Sequence, residues 1–291
     1  MIVVGGTASN GMDISLSKLI GADLVKVETS KFPDGEIKVR VPEFSDKDAI
    51  IVQSTHVPQE KNIFELLLIA QELARRDVNI TAVVPYLAYA RQNRSFYPGE
   101  AVSVNVVLDM FGVAGITSLI TVNPHKSGPL MHFVGKVGIA NAIGTIAETV
   151  KKSIENPIVM APDKGGLGIA KNAAEVVGCE YTYIEKERNV YGAVSIKKTH
   201  GGDFKDKNVV IFDDIISTGG TIEQAARHAF DEGASTVSTA AVHLVMVGSA
   251  YEKLKNAGVT KIFGSNTIPF EHAEIIDIAP DIAKALTGLR N

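Results

Sequence analysis

Short β-branched runs alternate along this chain with longer stretches in which apolar residues recur every three or four positions. The runs 2–4, 24–28, 48–54, 80–85 and 118–122, then 158–160, 181–184, 209–212, 238–245 and 262–266, read as strands. Residues 37–41 alternate apolar with charged and predict a half-buried strand. Helical spacing marks 12–20, 61–76, 102–111, 143–152 and 282–289, the segment carrying Ile169, Ala173 and Val176, and that carrying Ile222, Ala225, Ala226, Ala229 and Phe230. On the helix over 61–76, Ile63, Phe64, Leu67, Leu68 and Ala70 are expected on the buried side. Strands alternating with helices predict an α/β fold, each half a mainly parallel sheet flanked by helices. The pattern divides softly near 140–155. The chain therefore reads as two similar domains, 1–147 and 148–291, with the last helix packing back on the first.

The densest chemistry follows the apolar run 209–212. Asp213 and Asp214 stand where that strand is expected to end, and Ser217, Thr218, Gly219, Gly220 and Thr221 lead into a helix. Glycine lets the backbone approach a ligand, consecutive N–H groups and hydroxyls can wrap an anion, and a helix N-terminus favours negative charge. The pattern fits a phosphate in the loop, with sugar hydroxyls or a metal beside the two acids. A solvated strand-to-helix turn with an acidic cap is the plainer alternative.

Other strand ends carry related residues. The run 5–11 is a second glycine- and hydroxyl-rich turn, but it lacks the Lys-Ser/Thr ending of a P-loop. Lys31, Phe32, Pro33, Asp34, Gly35 and Glu36 form a turn by chemistry, and a simple hairpin accounts for Pro-Asp-Gly. Tyr86, Tyr89, Arg91, Gln92 and Arg94 make a poor core, but a good surface for a base and a polyphosphate. Snorkelling arginines on a solvated loop fit the same residues. His125 lies just past the run 118–122, and Asp163 with Gly165 and Gly166 lies just past 158–160. Strand ends are where α/β proteins place their sites, although a lone histidine also serves structural roles. Lys186 and Arg188 are two apart and share one side of an extended chain, or belong to a charged hairpin loop.

Composition narrows the setting. The chain has 291 residues, 45% hydrophobic and 21% charged, an ordinary globular mix with room for two cores. A net charge of −4 with no basic run argues against nucleic-acid binding. Anionic ligands must be held by local sites. One cysteine, Cys179, allows neither an intrachain disulfide nor a multi-cysteine metal site. No window has the charge-free length of a membrane span, and no basic leader precedes the first strand. A reducing, cytoplasmic location is expected.

Four stretches taken together resemble the ribose-phosphate pyrophosphokinase family, in family order and over nearly the whole chain. They are Phe32-Pro33-Asp34-Gly35-Glu36, Tyr89-Ala90-Arg91-Gln92, Ala161-Pro162-Asp163-Lys164-Gly165-Gly166, and Asp213-Asp214-Ile215-Ile216-Ser217-Thr218-Gly219-Gly220-Thr221. The last alone is shared with phosphoribosyltransferases. The resemblance implies two phosphoribosyltransferase-type domains, and transfer of the β,γ-diphosphoryl group of ATP to the 1-hydroxyl of ribose 5-phosphate. It implies that Ser217, Thr218, Gly219, Gly220 and Thr221 hold the 5-phosphate, with Asp213 and Asp214 at the sugar hydroxyls. By the same resemblance His125 and Asp163 lie at Mg²⁺, and Arg91 and Gln92 meet ATP. Phe32, Asp34, Gly35 and Glu36 would complete the ATP site of a neighbouring subunit, making the protein a homo-oligomer, at least a dimer. Lys186 and Arg188 would stabilise the transition state. Asn93, Asn123-Pro124, Gly128 and Ser217 depart from the commoner family pattern and, with the short chain, resemble an archaeal-type member. A phosphoribosyltransferase and a non-catalytic regulatory subunit are the alternatives.

Overall fold

The computed structural model describes the backbone of residues 1–188 and 194–290, and the side chains among these except at 186–188, 194–198 and 290. The chain divides into two compact units. The first comprises residues 1–141, 266–268 and 277–291, and the second 142–265 and 269–276.

The first unit is built on β1 (Ile2–Gly5), α1 (Met12–Ile20), β2 (Asp23–Lys26), β3 (Glu28–Lys31), β4 (Ile37–Arg40), β5 (Asp48–Val52) and α2 (Gln59–Arg75). It continues through β6 (Asn79–Val84), α3 (Ser103–Val113), β7 (Ile116–Val122) and β8 (Lys136–Ala140). Six strands form a parallel sheet in the order β2-β1-β5-β6-β7-β8, and β3 with β4 makes a separate antiparallel hairpin. Alternate strand residues such as Ile2, Val4, Ile51, Ile80 and Ala82 face a core closed by α2 and α3. The closing helix, α8 (Ala279–Arg290), lies against α1 and β8.

The buried face of α2 differs from the sequence expectation. Asn62, Ile63, Leu66, Ile69, Ala70 and Leu73 are buried, whereas Phe64 is 52% exposed and Leu67 and Leu68 are only partly covered. The run Ile63-Phe64-Glu65-Leu66-Leu67-Leu68-Ile69 is apolar on most sides, so periodicity alone does not choose the face. Glu65 decides it. It is fully buried, accepting from the Thr7 N–H at 2.7 Å and the Thr7 hydroxyl at 2.6 Å, and that fixes the rotation of the helix.

The second unit contains α4 (Ile143–Ser153), β9 (Pro157–Ala161), α5 (Leu167–Val177), β10 (Tyr181–Arg188), β11 (Val194–His200), β12 (Asn208–Ile216) and α6 (Gly220–Asp231). After these come β13 (Thr236–Leu244), α7 (Ala250–Asn256), β14 (Val259–Ser265) and β15 (Glu274–Ile276). The seven-stranded sheet runs β11-β10-β9-β12-β13-β14-β15, and among the described residues only β11 is antiparallel to its neighbour. Its core packs Val209, Ile211, Val237 and Ala241 under Ile222, Ala225, Ala226, Ala229 and Leu254. On this sheet two strands extend beyond the runs expected from the sequence. β12 runs through both acids to Ile216, and β10 runs on to Arg188 because β11 gives it a partner. A charged strand end is stable when the ladder, not the side chain, supplies its hydrogen bonds.

Candidate active site

In each unit the parallel strands end on one edge, and the chemistry-bearing loops leave from it, as open α/β sheets require. In the second unit, β12 carries Asp213 and Asp214 side by side near its end, and the chain bends through Ser217 and Thr218 into α6. Gly219 is the N-cap of that helix at φ 77, and its carbonyl accepts from Glu223 N–H at 2.8 Å. Two observations tie glycine to this position. The left-handed φ disfavours any side chain, and a Cβ would lie 2.7 Å from Leu254 and 3.0 Å from the Ala250 carbonyl. Gly220 is different, because a Cβ there would meet nothing within 4 Å. The protein's own packing does not require that glycine; an open approach to the loop is what it preserves. The neighbouring turn braces the loop: Met246 and Val247 donate to the Ile216 and Ser217 carbonyls at 3.0 and 2.9 Å.

Asp163 belongs to the same cluster. It leaves β9 in extended conformation, and its Oδ1 accepts from the Gly165 and Gly166 N–H groups at 2.8 and 3.3 Å. Its charge reaches Asp213. Burial, then the charge of Asp214 and its hydrogen bond, then Asp163, push the Asp213 carboxyl up to about 8, although the Asp214 N–H donates to it at 2.9 Å. Three acids gathered at one strand end concentrate negative charge, and a cation or a hydroxyl-rich ligand relieves that crowding.

The glycine-rich turn at 5–11 resembles the β12–α6 loop in sequence but not in chemistry. Thr7 gives its N–H to buried Glu65, and Ala8 gives its own to Gln53 Oε1 at 2.9 Å. A carboxylate of the protein already stands where an anion would bind.

In the first unit, β6 and β7 are neighbours, and their loops carry Arg91, Gln92 and His125. Contrary to the expectation of a surface across 86–94, part of this segment enters the core. Leu87, Ala88 and Ala90 are buried, and Tyr86 and Tyr89 pack partly on the core. Arg91 is exposed, while Gln92 donates to Glu100 at 2.8 Å and turns its Oε1 inward without a hydrogen-bond partner. His125 is exposed beyond Asn123, which takes a left-handed φ of 35. Phe32, Asp34, Gly35 and Glu36 form the tip between β3 and β4. Phe32 N–H donates to Glu36 O at 2.8 Å, Gly35 N–H to Phe32 O at 2.9 Å, and Glu36 N–H to Asp34 Oδ1 at 3.2 Å. Phe32 is 49% exposed. Lys186 and Arg188 have their backbone in β10, and their side chains lie outside the described residues.

Two parallel-sheet units with an acid pair and a glycine-hydroxyl loop at one strand end define an α/β protein of phosphoribosyltransferase type. Residues 1–115 match the family model described as the N-terminal domain of ribose phosphate pyrophosphokinase, and 136–275 match the phosphoribosyl transferase domain. The chain belongs to the ribose-phosphate pyrophosphokinase family. The enzyme of that name from Saccharolobus solfataricus is 46% identical over 293 residues, covering 98% of this chain and 100% of that one. That of Methanothermobacter thermautotrophicus is 37% identical over 286 residues, covering 98% and 99%. Among solved structures, phosphoribosylpyrophosphate synthetase from Mycobacterium smegmatis superposes with a TM-score of 0.84 at 28% identity, covering 99% of this chain and 98% of that one.

Proposed function

We propose that this protein transfers the β,γ-diphosphoryl group of ATP to the 1-hydroxyl of ribose 5-phosphate, giving 5-phosphoribosyl 1-diphosphate and AMP. The observation that carries the reading is the β12–α6 loop beside the Asp213–Asp214 pair, in a chain that also matches the family's N-terminal domain. A phosphoribosyltransferase needs the loop but not that domain. Ser217, Thr218, Gly219, Gly220 and Thr221 hold the 5-phosphate, and Asp213 and Asp214 take the sugar hydroxyls. Arg91 and Gln92 bind ATP, and Lys186 and Arg188 offset charge gathering on the transferred group and on departing AMP.

The donor set fits Mg²⁺ of the kind that substrate phosphates largely coordinate. Among the described residues, no three His, Cys, Asp or Glu side chains form a metal-holding group. Such a site needs only one or two protein ligands. His125 in the first unit and Asp163 in the second are the candidate ligands that the chain offers such an ion, and the crowding of acids around Asp213 favours a cation in the second unit's cluster. When bound, the ion supplies charge neutralisation at the phosphates.

A second copy of the chain completes the ATP site through Phe32, Asp34, Gly35 and Glu36. Supporting this, the hairpin tip presents an exposed Phe32, and the outer side of α2 and α3 with residues 128–134 leaves Phe64, Val106, Val113, Met131 and Val134 exposed. Patches of that kind mark association surfaces. A reducing, cytoplasmic location rests on the single cysteine.

The deciding assay mixes the protein with Mg²⁺, ATP and ribose 5-phosphate and identifies the nucleotide product. AMP appearing mole for mole with a new diphosphate ester is expected. ADP, or no turnover, overturns the reading.

A further inference from the structure

Tyr89 stands immediately before Ala90, Arg91 and Gln92, and it is held in a conformation that its side chain disfavours. Its φ is 64, in the left-handed region that bulky residues rarely adopt. Such a residue persists where its surroundings over-determine it. Here three contacts do so. The Tyr89 carbonyl accepts from Gln92 N–H at 2.8 Å, closing a tight turn around Ala90 and Arg91. The Tyr89 hydroxyl donates to Glu60 Oε1 at 2.5 Å, in the first turn of α2. Its ring packs partly on the core formed by α2 and α3. Upstream, Ala88 N–H is fixed to Thr55 Oγ1 at 2.8 Å. The alanines on either side of Tyr89, Ala88 and Ala90, are buried.

The consequence is mechanical. Arg91 is exposed, and no hydrogen bond of its own side chain is needed to aim it if the backbone before it is set. The turn sets that backbone, and the Tyr89–Glu60 bond ties the turn to the first turn of α2 by a side-chain hydrogen bond. The pair titrates as a charge-assisted bond should. Hydrogen bonding to Tyr89 holds the Glu60 carboxyl below its ordinary value, and the same bond raises the Tyr89 hydroxyl.

We propose that Tyr89 is a positioning residue for the ATP-binding segment, with Glu60 as its anchor. The left-handed turn at Tyr89 presents Arg91 and Gln92 to the donor nucleotide, and the hydroxyl–carboxylate bond keeps that turn populated. Neither side chain touches the reacting atoms. Without the bond, the segment occupies its binding conformation only part of the time, and apparent affinity falls in proportion. The inference rests on the reading that Arg91 and Gln92 bind ATP.

The test is steady-state kinetics on Tyr89→Phe, Glu60→Ala, the double variant and Glu60→Gln, in the full-length Mg²⁺-loaded enzyme. Tyr89→Phe keeps the ring and removes only the hydroxyl. The expected result is a KM for ATP raised about threefold to fivefold, the size of one lost charge-assisted hydrogen bond at an exposed position. The KM for ribose 5-phosphate and kcat should stay within about twofold. Glu60→Ala should match it, the double variant should be no worse than either single one, and Glu60→Gln should recover most of the loss. An unchanged KM for ATP in Tyr89→Phe, an equal rise in both KM values, or simple additivity would each overturn the proposal. Arg91→Ala is the control. If it leaves the KM for ATP unchanged, the ATP reading of the segment fails, independently of the Tyr89–Glu60 bond. Thermal melting of each variant separates positioning from unfolding, because positioning moves KM with Tm unchanged.

Discussion

Asp213 sits in an environment far from that of an ordinary carboxylate. Its value in the folded protein, about 8, lies above the 3.8 of a free aspartate, so the folded state binds the proton more tightly than the unfolded chain. Stability linked to this group is therefore greatest below pH ~4, where both states are protonated. It declines as pH rises through the interval up to about 8, and the full cost is present above that. Asp213→Asn removes the charge and keeps an acceptor for the Asp214 N–H. In metal-free protein with chelator present, Asp213→Asn is expected to raise Tm by several degrees at pH 8.5, with the gain vanishing near pH 4 in a thermal melt. A gain independent of pH would contradict the assignment. The same substitution should weaken ribose 5-phosphate binding, so the protein gains stability where it loses function, as strained sites do.

At the scale of elements, the β12–α6 connection separates two uses of glycine that a sequence cannot tell apart. Gly219 is required by φ and by Leu254 and Ala250 beneath it, whereas Gly220 faces open space. Gly219→Ala should lower stability by about 1–3 kcal/mol, the cost of a side chain at positive φ with a neighbour to displace. Gly220→Val should leave Tm unchanged within error and raise the KM for ribose 5-phosphate. Denaturant unfolding and steady-state kinetics on the two variants check both halves. Equal stability losses would show that the loop is packed rather than open. The turn at 5–11 supplies the contrast within one chain, because Glu65 and Gln53 already satisfy its N–H groups. Similar composition at a strand end thus gives an open loop, proposed to bind phosphate, in one unit and a self-capped turn in the other.

At the scale of the molecule, the proposed ATP residues belong to the first unit and the proposed sugar-phosphate residues to the second. The hairpin tip bearing Phe32 is assigned to a neighbour's site. That assignment predicts complementation. Phe32→Ala and Arg91→Ala subunits should each be nearly inactive alone. After subunit exchange, about half of the dimers are mixed, and each mixed dimer has one intact site. Activity should then return to roughly a quarter of wild type on mixing. No recovery, in a sample shown by light scattering to contain mixed oligomers, would mean that Phe32 acts within its own chain.

Much of this protein could be read from the sequence. The α/β order, the helix Met12–Ile20, the hairpin turn at 32–36 and the Ser217 to Thr221 loop all follow from local chemistry. Buried parallel strands are β-branched, glycine marks positive φ, and hydroxyls gather at anion loops. Family and reaction class were legible because four motifs fall in order along one chain. What tertiary structure alone decided depends on partners distant in sequence. The buried face of α2 was set by Glu65 reaching Thr7, and the continuation of β10 by β11. The raised proton affinity of Asp213 came first from burial, then from neighbouring Asp214, and last from Asp163, 50 residues away along the chain. The left-handed Tyr89, tied to Glu60, has no local signature, because tyrosine is not a residue that announces positive φ. Local sequence specifies conformations that a residue prefers. Those it merely tolerates are imposed by contacts, and one of them, at Tyr89, lies beside residues proposed to bind substrate.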